Sequence, residues 1–384
     1  MRFELSDEQE LFRQTVRRFL ETEAPLSTIR EKWYLSTGFD KNWWQRAAGL
    51  GWTSLMVSEA DGGGCLSGLP ACDAAILAEE IGRSCGPGPF LPVSVAAFAI
   101  SAYGSAEQRS ALLPGIVDGT STATWGLAEA GDAWTVDDLD TTVAADGEDV
   151  VVRGRKLYVE AANAVDWVLV TGTSSRGITQ VVVPAGTPGM TVQAGRSVDL
   201  VRRFGTVTLD DVRLPATAVV GEIGCAAEAV ERQLELALLL QCAQANGAVG
   251  ELFDRTVDYA KYRYAFGRPI GAYQALKHRF ADMLQRLEFA RAIADSAALA
   301  FDRAHVCADG SAEAHELARI AKAYVFDAGL DIIDDCVQIN GGIGVTWEHD
   351  AHVFSRRVAL DRALYGAPEL HKDALVDELG LVAR

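Results

Sequence analysis

In the first third of the chain, apolar residues recur every three or four positions. Leu11, Val16, Phe19 and Leu20 share one face of a helix opened by a capping box of Ser6 and Gln9. Trp43, Trp44, Ala47 and Ala48 mark a second helix that stops near Gly49. Asp61-Gly62-Gly63-Gly64 reads as a turn, and Pro70 to Ile81 as a third helix. Its proline sits where a first-turn N–H has no intrahelical partner to lose. Pro87, Pro89 and Pro92 then break regularity before an apolar segment from Val93 to Ala102.

Between about 121 and 222 the pattern changes to short β-branched runs punctuated by Asp-Gly and Arg-Gly. A compact β domain of roughly six to eight strands is expected. Its short connections hold no crossover helix and favour antiparallel pairing. From about 224 long helices return. Ala226 to Tyr264 has no proline and only Gly247 and Gly250, and Gln274 to Val306 and Ala312 to Gln338 follow. A last helical region begins after Trp347. Apolar stripes on more than one face suit an antiparallel bundle, and the sparse polar coat over Leu234–Ala248 suits an oligomer contact. The fold class is therefore α+β. An N-terminal helical domain (1–120), a middle antiparallel β domain (121–223) and a C-terminal helical bundle (224–384) are expected.

Composition narrows the function classes. The 384 residues are 49% hydrophobic and 23% charged, which disfavours disorder and fibrous repeats. A formal charge of −18 argues against a nucleic-acid partner and against docking to anionic lipid. The N-terminus has acids and no long apolar run, unlike a targeting peptide. The most apolar later stretch, Leu234 to Leu240, is too short to span a membrane and contains Glu235. Cys65, Cys72, Cys85, Cys225, Cys242, Cys307 and Cys336 are odd in number, scattered and without a Cys-x-x-Cys pair. They read as reduced thiols of a cytoplasmic protein. Six histidines, of which only His349 and His352 are close together, make no metal set.

Candidate chemistry concentrates in residues 259–292. Arg263, Arg268 and Lys277 form a local cationic patch in an acidic chain. Phe266-Gly267 breaks the helix and Pro269 fits the entry to the next. A turn offering arginine, an aromatic ring, backbone amides and Gln274 has the chemistry to hold a pyrophosphate and stack an adenine. A capped turn with solvated basic residues is the plainer alternative. The second element is Gln338-Ile339-Asn340-Gly341-Gly342-Ile343-Gly344, whose consecutive glycines permit positive φ and close approach of a phosphate. A G-x-G-x-x-G fingerprint after a strand is absent, which disfavours a Rossmann site.

In combination these segments resemble the acyl-CoA dehydrogenase family. ELSDEQELFRQTVRRFL, GLGW…SEADGGG, RYAFGRPIGAYQ and QINGGIG stand in the family's order along essentially the whole chain. The resemblance implies the three domains already drawn, with a four-helix bundle as the last. It also implies FAD bound across a subunit contact and oxidation of an acyl-CoA between Cα and Cβ. Arg263, Phe266 and Gln274 match positions that touch FAD from the neighbouring subunit, and Gln338, Gly341 and Gly342 match the second FAD segment. Electron-transfer flavoprotein is the acceptor that the resemblance allows.

Several matched positions depart from the family's chemistry. The base that removes the α-proton is ordinarily a glutamate near the C-terminus, and Tyr365 falls there. A phenol, with an unperturbed pKa of about 10, is a poor base at pH 7. Members that carry the base early in the first bundle helix align it with Ala237. Glu235 is the nearest carboxylate but lies about 200° around the helix, where a solvated or subunit-contact role fits better. The Thr-Glu-Pro segment of the family becomes Ala128-Glu129-Ala130, followed by Gly131-Asp132. Its Trp-Ile-Thr segment becomes Tyr158-Val159-Glu160, which brings a negative charge towards the flavin unless Glu160 turns away.

Residues 341–352, GGIGVTWEHDAH, and the Tyr-Gly ending are similar to actinobacterial dehydrogenases of steroid side-chain breakdown, some of which are α2β2 heterotetramers. His349 and His352 read as helix-start and packing residues. Three functions stay open. One is a subunit that completes an FAD site while a paralogous acyl-CoA dehydrogenase subunit supplies the base. The others are a self-sufficient homotetramer with an unrecognised base and a non-redox scaffold that binds acyl-CoA.

Overall fold

The computed structural model describes residues 5–34, 36–131, 134–136, 139–304, 311–378 and 380. The first four residues, Asp132, Asp137, Asp138, Val306 and Cys307 lie outside the described residues. Six helices come first: α1 (Asp7–Glu23), α2 (Ile29–Lys32), α3 (Lys41–Ala48), α4 (Pro70–Ser84), α5 (Phe90–Tyr103) and α6 (Ala106–Val117). Strands β1 (Ala123–Gly126), β2 (Thr142–Asp146), β3 (Asp149–Glu160) and β4 (Trp167–Ser174) follow. They continue with β5 (Gly177–Pro184), β6 (Met190–Ala194), β7 (Phe204–Pro215) and β8 (Val219–Val220). Helix α7 (Ala227–Tyr262) leads into a hairpin of β9 (Tyr264–Ala265) and β10 (Arg268–Pro269). The chain closes with α8 (Gln274–Ala304), α9 (Ser311–Asn340), α10 (Ala351–Ala363) and α11 (Pro368–Glu378).

The capping box forms as expected, with Gln9 N donating to Ser6 Oγ at 3.2 Å and Ser6 N to Gln9 Oε1 at 3.1 Å. Pro92 lies inside the first turn of α5 rather than ahead of it, because a proline there breaks no helical hydrogen bond. Two compact units divide the chain: residues 31–74 with 87–237, and residues 1–30 with 75–86 and 238–384.

The first of these units holds an eight-stranded sheet in the order β6-β7-β3-β2-β4-β5-β8, with β1 beside β4. Most ladders are antiparallel, as expected. β1 and β2 both run parallel to β4, so the sheet is mixed. No crossover helix is needed, because β3 reverses the chain before it returns as β4. Residues Phe90 to Ile100 of α5 are buried on every side, as a helix apolar all round must be. Trp125 Nε1 donates to Thr171 Oγ1 at 2.9 Å. Gln180 and Gln233 exchange amide bonds of 2.7 and 2.9 Å, which pin the first turns of α7 to β5.

In the other unit α8, α10 and α11 pack on α9. Arg17 of α1 grips Glu80 of α4 with bonds of 2.9 and 2.6 Å. Helices α4 and α7 meet at backbone contact distance. A Cβ at Gly82 would stand 1.9 Å from Gln244 O, and one at Gly247 1.9 Å from Glu79 O. Residues 235–250 of α7 are buried throughout. Their multiple apolar faces are therefore used inside the chain, which corrects the expectation that Leu234–Ala248 offers an oligomer contact. Gly247→Ala should lower stability by about 1–3 kcal/mol through overpacking, read as a lower thermal midpoint by circular dichroism. An unchanged midpoint would show that the two helices separate freely.

Candidate functional site

At one end of the bundle, α7 stops at Tyr262 and the chain turns through β9 and β10. Phe266 (φ +51°) and Gly267 (φ +83°) are the central residues of this two-residue hairpin, and both take the left-handed conformation that such a turn requires. The expected helix break is thus a hairpin. Tyr273 Oη donates to Ala265 O at 3.0 Å, and the Arg268 guanidinium lies 4.0 Å from the centre of the Tyr273 ring. Phe266 is 97% exposed. Among the described residues, exposed Arg263 has no polar partner for its side chain, and exposed Gln274 opens α8.

The end of α9 comes to the same place. Arg279 Nε of α8 donates to Asp335 Oδ1 at 2.9 Å, and Asn340 Nδ2 to Thr256 Oγ1 of α7 at 3.1 Å. Gln338, Gly341 and Gly342 are exposed there. Gly341 takes φ +66°, whereas Gly342 keeps an ordinary φ within the 3-10 turn Gly341–Val345. The expected positive φ thus belongs to Gly341 alone. A Cβ on either glycine would meet nothing within 4 Å, so a ligand has room against this backbone. Arg263, Phe266, Gln274, Gln338, Gly341 and Gly342 are therefore brought together.

Tyr365 is not part of this cluster. It follows α10 with φ +58° and is buried, and its carbonyl receives His371 Nε2 at 2.9 Å. Lys322 Nζ, which binds Leu364 O at 2.8 Å, lies in α9 eighteen residues before Asn340. At ~1.5 Å per residue that is roughly 27 Å along the helix, too far for one flavin ring to touch both places. Ala237 is fully buried. Glu235 is neither solvated nor at a free surface: it is 4% exposed and ion-paired with Arg232, one helical turn earlier. The correction follows from burial, because a carboxylate out of water needs a cation beside it. His349 Nδ1 accepts from Ala351 N at 3.1 Å at the start of α10, and His352 stacks on Trp347 at 4.6 Å.

The end of β3 carries strain and paired charge. Tyr158 (φ +51°) lies inside a register shift between Lys156 and Val159, and Ala161 (φ +54°) directly follows Glu160. Tyr158 stacks on Trp134 at 6.1 Å. Arg202 holds Glu160 in a two-pronged pair, both bonds 2.7 Å, with each side chain almost fully buried. Glu160 therefore presents no isolated charge. Beneath it, Lys156 donates to Leu127 O at 3.0 Å and to Glu129, which also accepts the Asp140 and Thr141 amides. Burial pulls the Lys156 pKa down to about 8 against the raising effect of Glu129. Burial alone would raise the Glu129 carboxyl, but the nearby Lys156 charge and these hydrogen bonds hold it below its ordinary value.

Residues 6–120 match the family profile described as "Acyl-CoA dehydrogenase, N-terminal domain", and residues 227–380 match "Acyl-CoA dehydrogenase, C-terminal domain". The chain belongs to the acyl-CoA dehydrogenase family. It is 29% identical over 366 residues to acyl-CoA dehydrogenase IpdE2 of Mycolicibacterium smegmatis, covering 95% of this chain and 96% of that one. It is 32% identical over 317 residues to acyl-CoA dehydrogenase FadE12 of Mycobacterium tuberculosis, covering 80% of this chain and 79% of the relative. Among solved structures, the Tcur3481-Tcur3483 steroid ACAD superposes with a TM-score of 0.84 at 27% identity, over 98% of each chain.

The family's reaction is the FAD-dependent dehydrogenation of an acyl-CoA, and FAD is this chain's cofactor. The open glycine backbone at 341–342, the unpartnered Arg263 and the bare Phe266 ring suit a dinucleotide's phosphates and base. Among the described residues, no group of three or more His, Cys, Asp and Glu is placed to hold a metal ion. No helix of them is long and apolar enough to cross a membrane.

Sequence reasoning missed Lys322, Arg202 and Lys156. Lys322 carried a signal, a lone cation in the run Ala321-Lys322-Ala323-Tyr324-Val325-Phe326. Arg202→Met alone should destabilise the fold by about 3–5 kcal/mol by leaving Glu160 buried and unpaired, and adding Glu160→Gln should recover most of it; chemical denaturation of the three variants checks this. Burial holds the His371 imidazole neutral, with its pKa down to about 4. Unfolded, it titrates near 6.5, so the unfolded chain binds more protons between those values and stability falls as pH drops from about 6.5 to 4. The loss reaches about 3 kcal/mol at most. Thermal midpoints across this range should fall less steeply for His371→Gln.

Proposed function

We propose that this chain is one of two unlike subunits of an acyl-CoA dehydrogenase, that it completes the FAD site of its partner, and that the partner supplies the catalytic base. The absence of a carboxylate at both Tyr365 and Ala237 carries this reading; the separation of the Arg263–Gly342 cluster from Tyr365 suits a nucleotide shared between subunits, like or unlike. Residues that grip a nucleotide at one level of the bundle, with the base locus roughly 27 Å away along α9, serve different sites in an oligomer. Tyr365 and Ala237 stand at the two family base positions, and neither is a carboxylate.

In this role Arg263 neutralises pyrophosphate charge, Phe266 and Gln274 embrace the nucleotide, and Gln338 with the Gly341 and Gly342 backbone seats its other side. When bound, FAD supplies the hydride acceptor for the Cα–Cβ oxidation. Tyr365 leaves the α-proton in place, since a phenol is a weak acceptor at neutral pH. A steroid side-chain CoA thioester is the proposed substrate, supported by the steroid ACAD neighbour. Electron-transfer flavoprotein is the proposed acceptor, and segments 1–120, 121–223 and 224–384 the working domains.

Purified alone, the chain should carry little flavin and show no acyl-CoA-dependent bleaching; co-purified with its paralogue it should be yellow and active. Yellow colour and bleaching by the lone chain would support a self-sufficient homotetramer instead. In the active assembly, Arg263→Ala should weaken FAD retention at least tenfold, the loss of one charge-assisted contact. FAD release followed by fluorescence after gel filtration measures it, and unchanged retention would remove Arg263 from the site.

A further inference from the structure

The segment that leaves the glycine turn is gripped by a side chain that the site described above does not use. Residues 346–350 lie between the 3-10 turn Gly341–Val345 and α10, and form neither helix nor strand. Arg30 of α2 reaches them with one guanidinium. Its Nε donates to Trp347 O at 3.0 Å, and its Nη2 to Glu348 O at 3.1 Å and to Asp350 Oδ1 at 2.7 Å. Asp350 Oδ2 accepts from Arg255 Nη1 at 3.3 Å, and Arg255 Nε donates to Glu251 Oε1 at 2.6 Å, so the grip is anchored on α7. His352 Nε2 stands 3.1 Å from Trp347 O, beside the stacked rings of the same two residues.

A surface ion pair alone explains little of this. The side chains of Arg30 and Asp350 are 21% and 27% exposed, and a half-solvated pair adds little stability. Two of the three acceptors of Arg30 are main-chain carbonyls in a segment with no ladder of its own, so the guanidinium fork specifies where that backbone runs. The segment is in turn tied to the glycines, because Thr346 donates to Ile343 O from its amide at 3.1 Å and from its hydroxyl at 3.0 Å. On the other side of the turn, Asn340 binds Thr256, and Gly344 lies so close to α9 that a Cβ would stand 2.8 Å from Val337 O. Gly341 and Gly342 face open space between these anchors, which therefore set where their backbone lies.

We propose that Arg30 is a positioning residue for FAD: by holding Trp347, Glu348 and Asp350 it fixes the downstream end of the glycine turn and keeps the Gly341 and Gly342 backbone placed for the cofactor. The proposal rests on the seat at Gly341 and Gly342 assigned above. Arg30 acts through the loop, and no contact with FAD is asked of its own side chain. Such a brace behind a ligand-facing backbone is what a pre-organised site requires.

The test uses the FAD-loaded assembly, with FAD release followed by fluorescence after gel filtration and backbone opening followed by hydrogen exchange. Arg30→Gln should release FAD about tenfold faster, through the loss of charge-assisted contacts, and amides of residues 341–350 should exchange about tenfold faster as well. Arg30→Lys keeps the charge without the fork and should recover part of both. Arg17→Gln is the control, since Arg17 pairs with Glu80 between α1 and α4. It should lower the thermal midpoint while leaving FAD release and exchange at 341–350 unchanged, which a merely structural role for Arg30 would also predict of Arg30→Gln. Should Arg30→Gln fail to fold, Arg30→Lys decides, with release about threefold faster expected. Release no faster than in Arg17→Gln, or unchanged exchange at 341–350, would overturn the proposal. Gly342→Leu places a side chain in the open space against the turn and should abolish FAD retention. Retention in that variant would refute the seat itself and the proposal with it, whereas its loss beside an unaffected Arg30→Gln overturns the proposal alone.

Discussion

A charge removed from water must be met inside the protein, and that constraint shapes the interior of each unit. Lys156 is answered by Glu129 and a carbonyl, Arg202 by Glu160, Arg232 by Glu235, and Lys322 by two carbonyls and an amide oxygen. Except for Arg232–Glu235, which lies within α7, each pairing joins parts of the chain that regular secondary structure does not connect. Glu129, held by Lys156, accepts from the Asp140 and Thr141 amides and so joins the two ends of the segment between them. Arg202 ties the approach to β7 to the irregular end of β3, and Lys322 ties α9 to the turn after α10. Buried pairs contribute little net stability when compared with apolar packing, but removal of one member is severe. They fix geometry more than they add stability.

The alternation of helix, strand and helix was legible because it is written locally. The capping box at Ser6, the tryptophans of α3 and the turn at Phe266-Gly267 all depend on residues a few positions apart. The mixed character of the sheet was hidden, because β1 and β4 pair across some forty residues and their partnership has no local mark. Burial of α7 was hidden for a related reason. A helix apolar on several faces reads alike whether its own chain or a second one covers it. Of the site, the cationic and glycine segments were visible as motifs, and the family likeness assigned them. Their convergence at one bundle end and the distance of Tyr365 from them are tertiary facts. Glu160 looked like a misplaced charge until Arg202, forty-two residues away, was seen to hold it.

The division of labour within the chain is unequal. Residues that suit a nucleotide are exposed, mutually close and largely without partners of their own, whereas the positions from which relatives draw a base are buried and carry no acid. On the two-subunit proposal, such a framework retains the larger part of the site, a surface shaped by three helix ends, and leaves a single side chain to the partner. That is economical in sequence terms, because one surface requires many coordinated residues and a base requires one.

Phe266 has a further consequence for the proposed assembly. A bulky ring in the left-handed region costs roughly 1–2 kcal/mol, and this one stands almost wholly in water. Whatever covers the hairpin tip binds only the folded chain, and so draws the folding equilibrium towards itself by mass action. In the proposed assembly, heat tolerance thus becomes a function of how much of each subunit is present: dilution alone would weaken it, with no change in any covalent or internal contact.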